Sequence, residues 1–204
     1  MNCINNVRCD LINLNVFPKL DLPVYSLFTL NDDGTTNANI VTYANTISLE
    51  PSKWSISLYK DTLSHHNFLK RNWGLLQILD KNEHLKIIEV LGKNSGNNID
   101  KMIELKKIDE NLIETIELEL TNCISSKPCS PLATMDILCH SPGMVLLEVC
   151  SDDNDDNGIF DVGDHDMVMC RPLAYFQGSL SSSNSSNSSS SILTTSSLRE
   201  IGIL

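Results

Sequence analysis

The chain has 204 residues, of which 41% are hydrophobic, and this is enough for one domain with its own core. Its 15 Lys and Arg residues against 26 Asp and Glu residues give a net charge of −11 at pH 7. Binding to a nucleic acid needs clustered basic side chains, and the basic residues here are scattered, so the composition argues against a nucleic acid partner.

The N-terminal stretch, MNCINNVRCDLINLNVF, has no apolar block of signal-peptide length, and no part of the chain approaches the ~20 apolar residues of a membrane span. The cysteines are seven, an odd number, and no two have the spacing Cys-x-x-Cys, which argues against a zinc ribbon or a thioredoxin-like motif. We therefore expect a cytoplasmic protein with reduced thiols, no metal site and no membrane contact.

The first half of the chain reads as short strands after a loose arm over residues 1–20. Val24–Leu30 is mostly apolar, and the Asp-Gly pair that follows it is typical of a hairpin turn. Asn39–Ser48 is predicted as the second strand. Beyond a proline turn, Trp54–Tyr59 alternates apolar and polar side chains with the period of a half-buried strand. Short strands joined by tight turns predict a mainly β protein, a barrel or a sandwich.

A helix is predicted over Thr62–Asn72, where the period changes and the side chains of Asp61, Thr62 and Ser64 can cap its start. The first N–H groups of a helix have no intrahelical partner and lie at the positive end of its dipole, so this turn suits an anion. The alternative, which is the commoner one, is that these side chains only cap their own helix.

The middle of the chain continues the pattern with a buried strand at Leu75–Leu79 and a helix over Glu83–Leu91 that Gly92 can end. Leu112–Thr121 alternates as an antiparallel strand with one wet face. Two further apolar strands, Ala133–Cys139 and Met144–Cys150, precede a run of acidic residues.

The last third of the chain begins with Gly163-Asp164-His165, which opens a strand over Asp166–Cys170, and Leu173–Gly178 is a closing strand. Residues 179–191 are almost entirely Ser and Asn, which predicts a disordered insertion because such a segment has little apolar surface to bury. Residues 192–204 are expected to pack back on the main domain, residues 21–178.

Several short motifs resemble, in the same order along the chain, those of the flavin reductase-like family, the FMN-binding split barrels. They are Thr42-Tyr43, Ser48-Leu49-Glu50-Pro51, Thr62-Leu63-Ser64, the run LGKNSGNNIDK, Gly163-Asp164-His165, Leu173–Gly178 and the C-terminal segment around Leu198–Gly202. The resemblance implies a Greek-key-like β-barrel with a few flanking helices, and a homodimer with FMN at the subunit interface.

The resemblance also implies where the cofactor lies. The FMN phosphate would be held near Thr62 and Ser64, with Lys60 as a possible countercharge. The flavin ring would lie against the strand around Thr42 and Tyr43, because a ring needs a flat wall with a few polar groups at its edge.

His165 is expected near the flavin and the nicotinamide, where the resemblance places it. Hydride transfer between two cofactors needs no acid or base in its main step, so we assign His165 a positioning role, with Asp164 orienting the imidazole. A purely structural His–Asp turn is the alternative. The expected function is an NAD(P)H-dependent flavin reductase in which NADH or NADPH passes hydride to FMN, without a G-x-G-x-x-G dinucleotide fingerprint in the chain.

Two positions depart from the family pattern and keep a second hypothesis open. Leu63 stands where the family often has a basic residue, and Tyr43 stands where many members have a small residue or Asn. A tyrosine there can stack on the ring or narrow the site. These departures favour a flavin-binding protein without catalysis as the alternative function.

A third hypothesis is a calcium-responsive binding module. Asp153, Asp155, Asn157, Gly158 and Asp164 fit the calcium-loop pattern D-x-D-x-N-G with a carboxylate at the twelfth position. That motif requires a helix on each side, whereas both flanks of this loop read as strands. A solvated acidic hairpin is therefore the favoured interpretation.

Overall fold

A computed structural model describes residues 20–120, 132–150, 158–177 and 191–204. The strands in these residues are β1 (Tyr25–Leu30), β2 (Thr36–Val41), β3 (Ala44–Leu49), β4 (Ser52–Tyr59), β5 (Trp73–Ile78), β6 (Ile113–Glu119), β7 (Leu132–Leu138), β8 (Gly143–Val149), β9 (Ile159–Asp161) and β10 (His165–Gln177). The α-helices are α1 (Leu63–Arg71), α2 (Lys81–His84), α3 (Ile88–Lys93), α4 (Lys101–Ile108) and α5 (Thr195–Glu200), and short 3-10 helices lie at Leu85–Ile87 and Glu110–Leu112.

One antiparallel sheet contains eight of these strands, in the order β2-β1-β5-β8-β10-β4-β3, with β9 paired to the first part of β10. Strands β6 and β7 form a separate two-stranded sheet. β2 and β3 follow each other in the chain but lie at opposite ends of the large sheet, and β2 contacts β4. The sheet therefore curves round into a barrel that hydrogen bonds do not close between β2 and β3, and the mainly β fold predicted from the sequence is confirmed.

Both faces of the central strands are buried, which explains their almost continuous apolar sequences. Neighbouring residues such as Leu27 and Phe28 on β1, or Leu76 and Leu75 on β5, belong to two different apolar clusters. One cluster fills the barrel between β1, β4, β5, β8 and β10. The other lies under α3, α4 and the β6–β7 sheet.

Three element predictions are wrong in their boundaries. Asn39–Ser48 is not one strand but the end of β2 and most of β3, because β2 pairs with β1 whereas β3 pairs with β4. The chain crosses between them at Thr42 and Tyr43, a break that no glycine or proline marks. The helix predicted over Glu83–Leu91 is three short helical pieces. The two strands predicted after His165 are one long strand, β10, with an irregularity near Pro172.

Helix α1 packs against the barrel and thereby holds the turn that precedes it, residues 60–62, in place. It begins after Thr62 and ends at Asn72, whose φ of 62° is left-handed. Phe68 is fully buried in the barrel cluster, and a side-chain carbon on Gly74 would lie 2.8 Å from its ring. Only glycine therefore lets β5 approach α1 so closely at this point.

The C-terminal residues pack against the start of the main domain. The Leu193 carbonyl accepts a hydrogen bond from the Val24 N–H, and the Leu193 N–H donates to the Leu79 carbonyl. Leu193 and Leu198 are fully buried. Residues 1–19 of the arm predicted over residues 1–20, and residues 179–190 of the insertion predicted over residues 179–191, lie outside the described residues. Within the described ranges, no helix is both long and apolar enough to cross a membrane.

Candidate functional site

The hydroxyl groups of the α1 turn are engaged in the fold. Thr62 Oγ1 accepts a hydrogen bond from the His65 N–H at 3.2 Å and donates one to the Tyr59 carbonyl at 2.9 Å. Ser64 is buried, and its hydroxyl oxygen accepts from Asn37 Nδ2 at 2.8 Å. The structure thus places Thr62 as the helix cap and Ser64 as a buried link to β2, while the first N–H groups of α1 have no partner within the helix.

Two cavities border this turn and share the side chains of Thr62 and Leu63. The larger has a volume of about 890 Å³ and the smaller about 180 Å³. The larger is rich in carboxylates, since its described lining residues include Asp32, Asp33, Asp61 and Asp166 together with Lys60. Such a surface is unfavourable for a phosphate dianion.

Lys60 is already paired in the larger cavity. Its Nζ lies 2.8 Å from Asp161 Oδ1 and 3.4 Å from Asp166 Oδ1. The hydrogen bond to Asp161 raises the pKa of Lys60, and the same bond lowers the pKa of Asp161. The role of Lys60 as a phosphate countercharge stays a prediction.

The smaller cavity has the opposite electrostatic character. No Asp or Glu is among the described residues that line it, whereas Lys93 and Lys101 are. The Lys101 side chain is only 3% exposed, and its Nζ donates to the Leu91 carbonyl at 2.7 Å and faces Asn39 Oδ1 at 3.4 Å. Burial lowers the pKa of Lys101 to about 8. A buried ammonium that contacts only neutral oxygens lacks a compensating negative charge, and a helix start lies beside it. An anion bound here would supply that charge.

Gly96 keeps this smaller cavity open. A side-chain carbon at this position would lie 2.2 Å from Asn37 Oδ1 and 3.1 Å from Leu63 Cδ2. Both neighbours line the cavity, so any larger residue would displace them.

Sequence reasoning left Lys101 and Gly96 without a role. Both belong to the run LGKNSGNNIDK, which resembles a segment of the flavin reductase-like family, and that resemblance was the available indication. The run forms the end of α3, a loop and the start of α4. It lies about 30 residues after the first turn of α1 in the sequence, and both line the smaller cavity.

The residues expected around the flavin ring meet at the other end of β2. The His165 ring lies edge-on to Tyr43 and Tyr59, with ring centroids 5.9 and 5.4 Å apart. His165 Nδ1 lies 2.7 Å from Asp164 Oδ1, a contact that both a positioning role and a structural His–Asp turn require, so the role of His165 stays a prediction. Thr42 is half-buried at the break between β2 and β3. Thr42 follows Asn39 of the smaller cavity by three positions of extended chain, about 10 Å at ~3.3 Å per residue.

The calcium-loop pattern falls mainly on residues 151–157, which lie outside the described residues. Its flanks are the strands β8, β9 and β10, so the helices that the motif requires are absent from the described chain on either side. Within the described ranges, no group of three His, Cys, Asp or Glu side chains is placed to hold a metal ion.

Comparison with solved structures decides the fold. The FMN-binding protein of Thermus thermophilus superposes with a TM-score of 0.58 at 14% identity, over 80% of this chain and 75% of that one. The flavoredoxin of Methanosarcina acetivorans gives a TM-score of 0.60 at 15% identity, over 82% of this chain and 74% of the other. The chain has the flavin reductase-like split-barrel fold.

A third split barrel, the NADH:FAD oxidoreductase of Streptomyces globisporus, gives a TM-score of 0.54 at 9% identity, over 78% of this chain and 76% of that one. No protein-family profile matches the chain, and no curated protein sequence does. At these identities the likeness concerns the fold, so the function has to be argued from the site itself.

Proposed function

We propose that this split barrel binds FMN, with the phosphate in the smaller cavity at the start of α1. The observation that carries the proposal is the buried amine of Lys101, which faces a cavity free of carboxylates among its described lining residues. The first residues of α1, Leu63 and Ser64, line the same cavity, and the positive end of a helix dipole adds to the attraction for an anion. The solved structures of similar fold include an FMN-binding protein and an NADH:FAD oxidoreductase, which supports the same assignment.

The ribityl chain would then run along β2 from Asn39 towards Thr42, and the ring would lie beside Tyr43 and His165. The flavin itself supplies the capacity to accept hydride. The protein would hold its phosphate through Lys101 and the α1 turn, and would present the His165 imidazole, held by Asp164, at the edge of the ring. The predicted contacts of Thr62 and Ser64 with the phosphate would involve their backbone N–H groups, since their hydroxyls are engaged.

We further propose that the bound flavin is reduced by NADH or NADPH. The similarity in fold to an NADH:FAD oxidoreductase supports this part of the proposal. An anaerobic titration of the FMN-loaded protein with each nucleotide tests it, because reduction bleaches the flavin absorbance. Bleaching by either nucleotide is expected, and an unchanged spectrum with both would leave a flavin-binding protein without reductase activity.

That alternative has one specific observation in its favour. Tyr43 and Tyr59 both lie against His165, the residue proposed at the edge of the flavin ring, and would crowd the approach of a nicotinamide. Both tyrosines are 54% exposed. Replacing Tyr43 by Asn in the same titration separates the two functions, since a gain of reduction would show that the tyrosine blocks the nicotinamide. The expectations of a homodimer and of a cytoplasmic location belong to this proposal as well.

A further inference from the structure

The hairpin formed by β9 and β10 has an unfavourable charge pair next to its turn. Asp161 on β9 and Asp166 on β10 are directly opposite each other in the antiparallel register. Like charges in that position repel each other and destabilise the pairing of the strands. His165 is the residue next to Asp166, so the closure of this hairpin decides where its imidazole lies.

Lys60 supplies a cation that contacts both carboxylates, whereas His65 Nε2 contacts only Asp166, at Oδ2 and 2.8 Å. Lys60 Nζ contacts Asp161 Oδ1 at 2.8 Å and Asp166 Oδ1 at 3.4 Å. Its backbone N–H also donates to the Asp164 carbonyl at 3.0 Å. The turn between β4 and α1 is therefore fastened to the hairpin by both the side chain and the backbone of one residue.

The carboxylate that holds Lys60 also shapes the turn that leads to His165. Asp161 Oδ1 accepts a hydrogen bond from the Gly163 N–H at 2.9 Å, and Gly163 has a φ of +109°, which favours glycine. The Val162 N–H donates to the His165 carbonyl at 3.1 Å and closes the turn. Loss of the ammonium would therefore disturb the residues that set the position of the imidazole.

We propose that Lys60 is a positioning residue that holds the β9–β10 hairpin closed and thereby fixes the imidazole of His165. The inference rests on the proposed function, in which His165 lies at the edge of the flavin ring. It differs from the role of phosphate countercharge, and the two roles predict different measurements. A countercharge would change the preference for FMN over riboflavin, whereas a positioning residue would change the hairpin.

The test compares Lys60→Met, Lys60→Arg and the double variant Lys60→Met with Asp161→Asn in the full chain. Amide hydrogen exchange at Val162 is measured without flavin, and affinities for FMN and riboflavin are measured by fluorescence. In Lys60→Met we expect Val162 to exchange about fivefold faster, the size of one unfavourable cross-strand contact. Lys60→Arg and the double variant should return to the wild-type rate, since one restores the cation and the other removes the repulsion.

The control is Lys107→Met, which removes an exposed lysine paired with Glu104 on α4 and should leave Val162 unchanged. The ratio of FMN to riboflavin affinity should stay within twofold of wild type in Lys60→Met. A tenfold fall of that ratio with unchanged exchange at Val162 would overturn the inference and make Lys60 a phosphate ligand. Faster exchange that Asp161→Asn does not reverse would overturn it too, because repulsion would not be the cause.

The chemical shift of the His165 ring protons links the hairpin to the imidazole. It should move in Lys60→Met and return in the double variant, and an unchanged shift would contradict a positioning role. These measurements need no flavin. A wild-type protein that binds neither flavin would refute the proposed function, while the exchange and the ring shift would still decide whether Lys60 fixes His165.

Discussion

Lys101 is the residue whose placement is hardest to explain by stability alone. It is 3% exposed, and burial holds its pKa at about 8 against 10.5 for a free lysine. No carboxylate is among its contacts in the described residues, which are the Leu91 carbonyl and the Asn39 amide. Groups with such shifted titration are frequent at functional sites, since a bound ligand supplies what the fold omits.

Replacing Lys101 by Met should therefore stabilise the flavin-free protein at pH 7. The pKa of Lys101 falls from 10.5 in the unfolded chain to about 8 in the folded one, which disfavours the folded, charged lysine. The gain is therefore at most roughly 3.5 kcal/mol, given ~1.4 kcal/mol per pKa unit. Urea unfolding at pH 7 measures it, with Lys107→Met as the control. The same variant should lose most of its preference for FMN over riboflavin, and a variant that is less stable without flavin would contradict this account of the buried charge.

The wild-type protein should also gain stability as the pH rises from about 8 to 10.5. In this window the unfolded chain still binds a proton at Lys101 that the folded chain, with its lower pKa, has lost. Comparing the pH dependence of unfolding in wild type and Lys101→Met isolates this contribution. Parallel curves would show that Lys101 is not the group responsible.

Gly96 carries a steric prediction at the same cavity. Gly96→Ala would place a methyl group 2.2 Å from Asn37 Oδ1, so Asn37 would have to move and release Ser64. We expect FMN affinity to fall at least tenfold and riboflavin affinity to change less. The appropriate control is Gly143→Ala, because the nearest contacts of the added methyl group would be at 3.6 Å. Gly34→Ala is less suitable as a control, because the positive φ of Gly34 would strain an alanine.

At the scale of elements, the segment from β4 to α1 shows what local sequence can predict. The strand β4, the capping residue and the helix were all predicted, because alternation and capping are local patterns. The break at Thr42 was not, since it depends on which distant strands β2 and β3 pair with. Lys101 could not be assigned either, because it reaches the site only when α4 packs beside β2.

Thr62 tests the local part of this account. Thr62→Ala removes the acceptor for the His65 N–H and should lower the free energy of unfolding by ~1 kcal/mol, the usual effect of losing a helix cap. Thr62→Ser should retain it, because the hydroxyl remains. A Thr62→Ala protein with unchanged stability and weakened FMN binding would mean that the hydroxyl serves the phosphate rather than the helix.

His84 joins two elements and predicts sensitivity to acid. Asp80 N–H donates to His84 Nδ1 at 2.9 Å, and Nε2 lies 2.8 Å from the Cys139 carbonyl, so α2 is tied to the end of β7 by a neutral ring. Burial lowers the pKa of His84 below its ordinary 6.5. The contribution of the neutral ring to the free energy of unfolding is fully present above pH 6.5. It falls as the pH drops below 6.5, because the unfolded chain takes up the proton before the folded chain does.

Unfolding measured between pH 7 and pH 5 should therefore show a loss of stability in wild type that is smaller in His84→Gln. His66→Gln replaces an exposed histidine on α1 and should follow wild type. Equal slopes in all three proteins would show that His84 does not set the acid response.

At the scale of the molecule, the barrel leaves apolar side chains in water beside its open edge. Leu49 at the end of β3 is 87% exposed, Tyr175 on β10 is 61% exposed and Ile47 is 50% exposed. These residues lie on β3 and β10, with only β4 between them in the sheet, and exposed apolar residues grouped in this way are typical of an interface. Light scattering should show a dimer, and Leu49→Asp should shift it to monomer with the fold intact, whereas a monomeric wild-type protein would refute the expectation.

The central claim is that the cavity at the start of α1 holds the phosphate of FMN. The most direct measurement is a fluorescence titration of the wild-type protein with FMN and, in parallel, with riboflavin, which lacks only the phosphate. The account predicts saturable quenching of FMN and binding of riboflavin at least tenfold weaker, a difference that Lys101→Met removes. Equal affinity for the two flavins, or no binding of either, would contradict it.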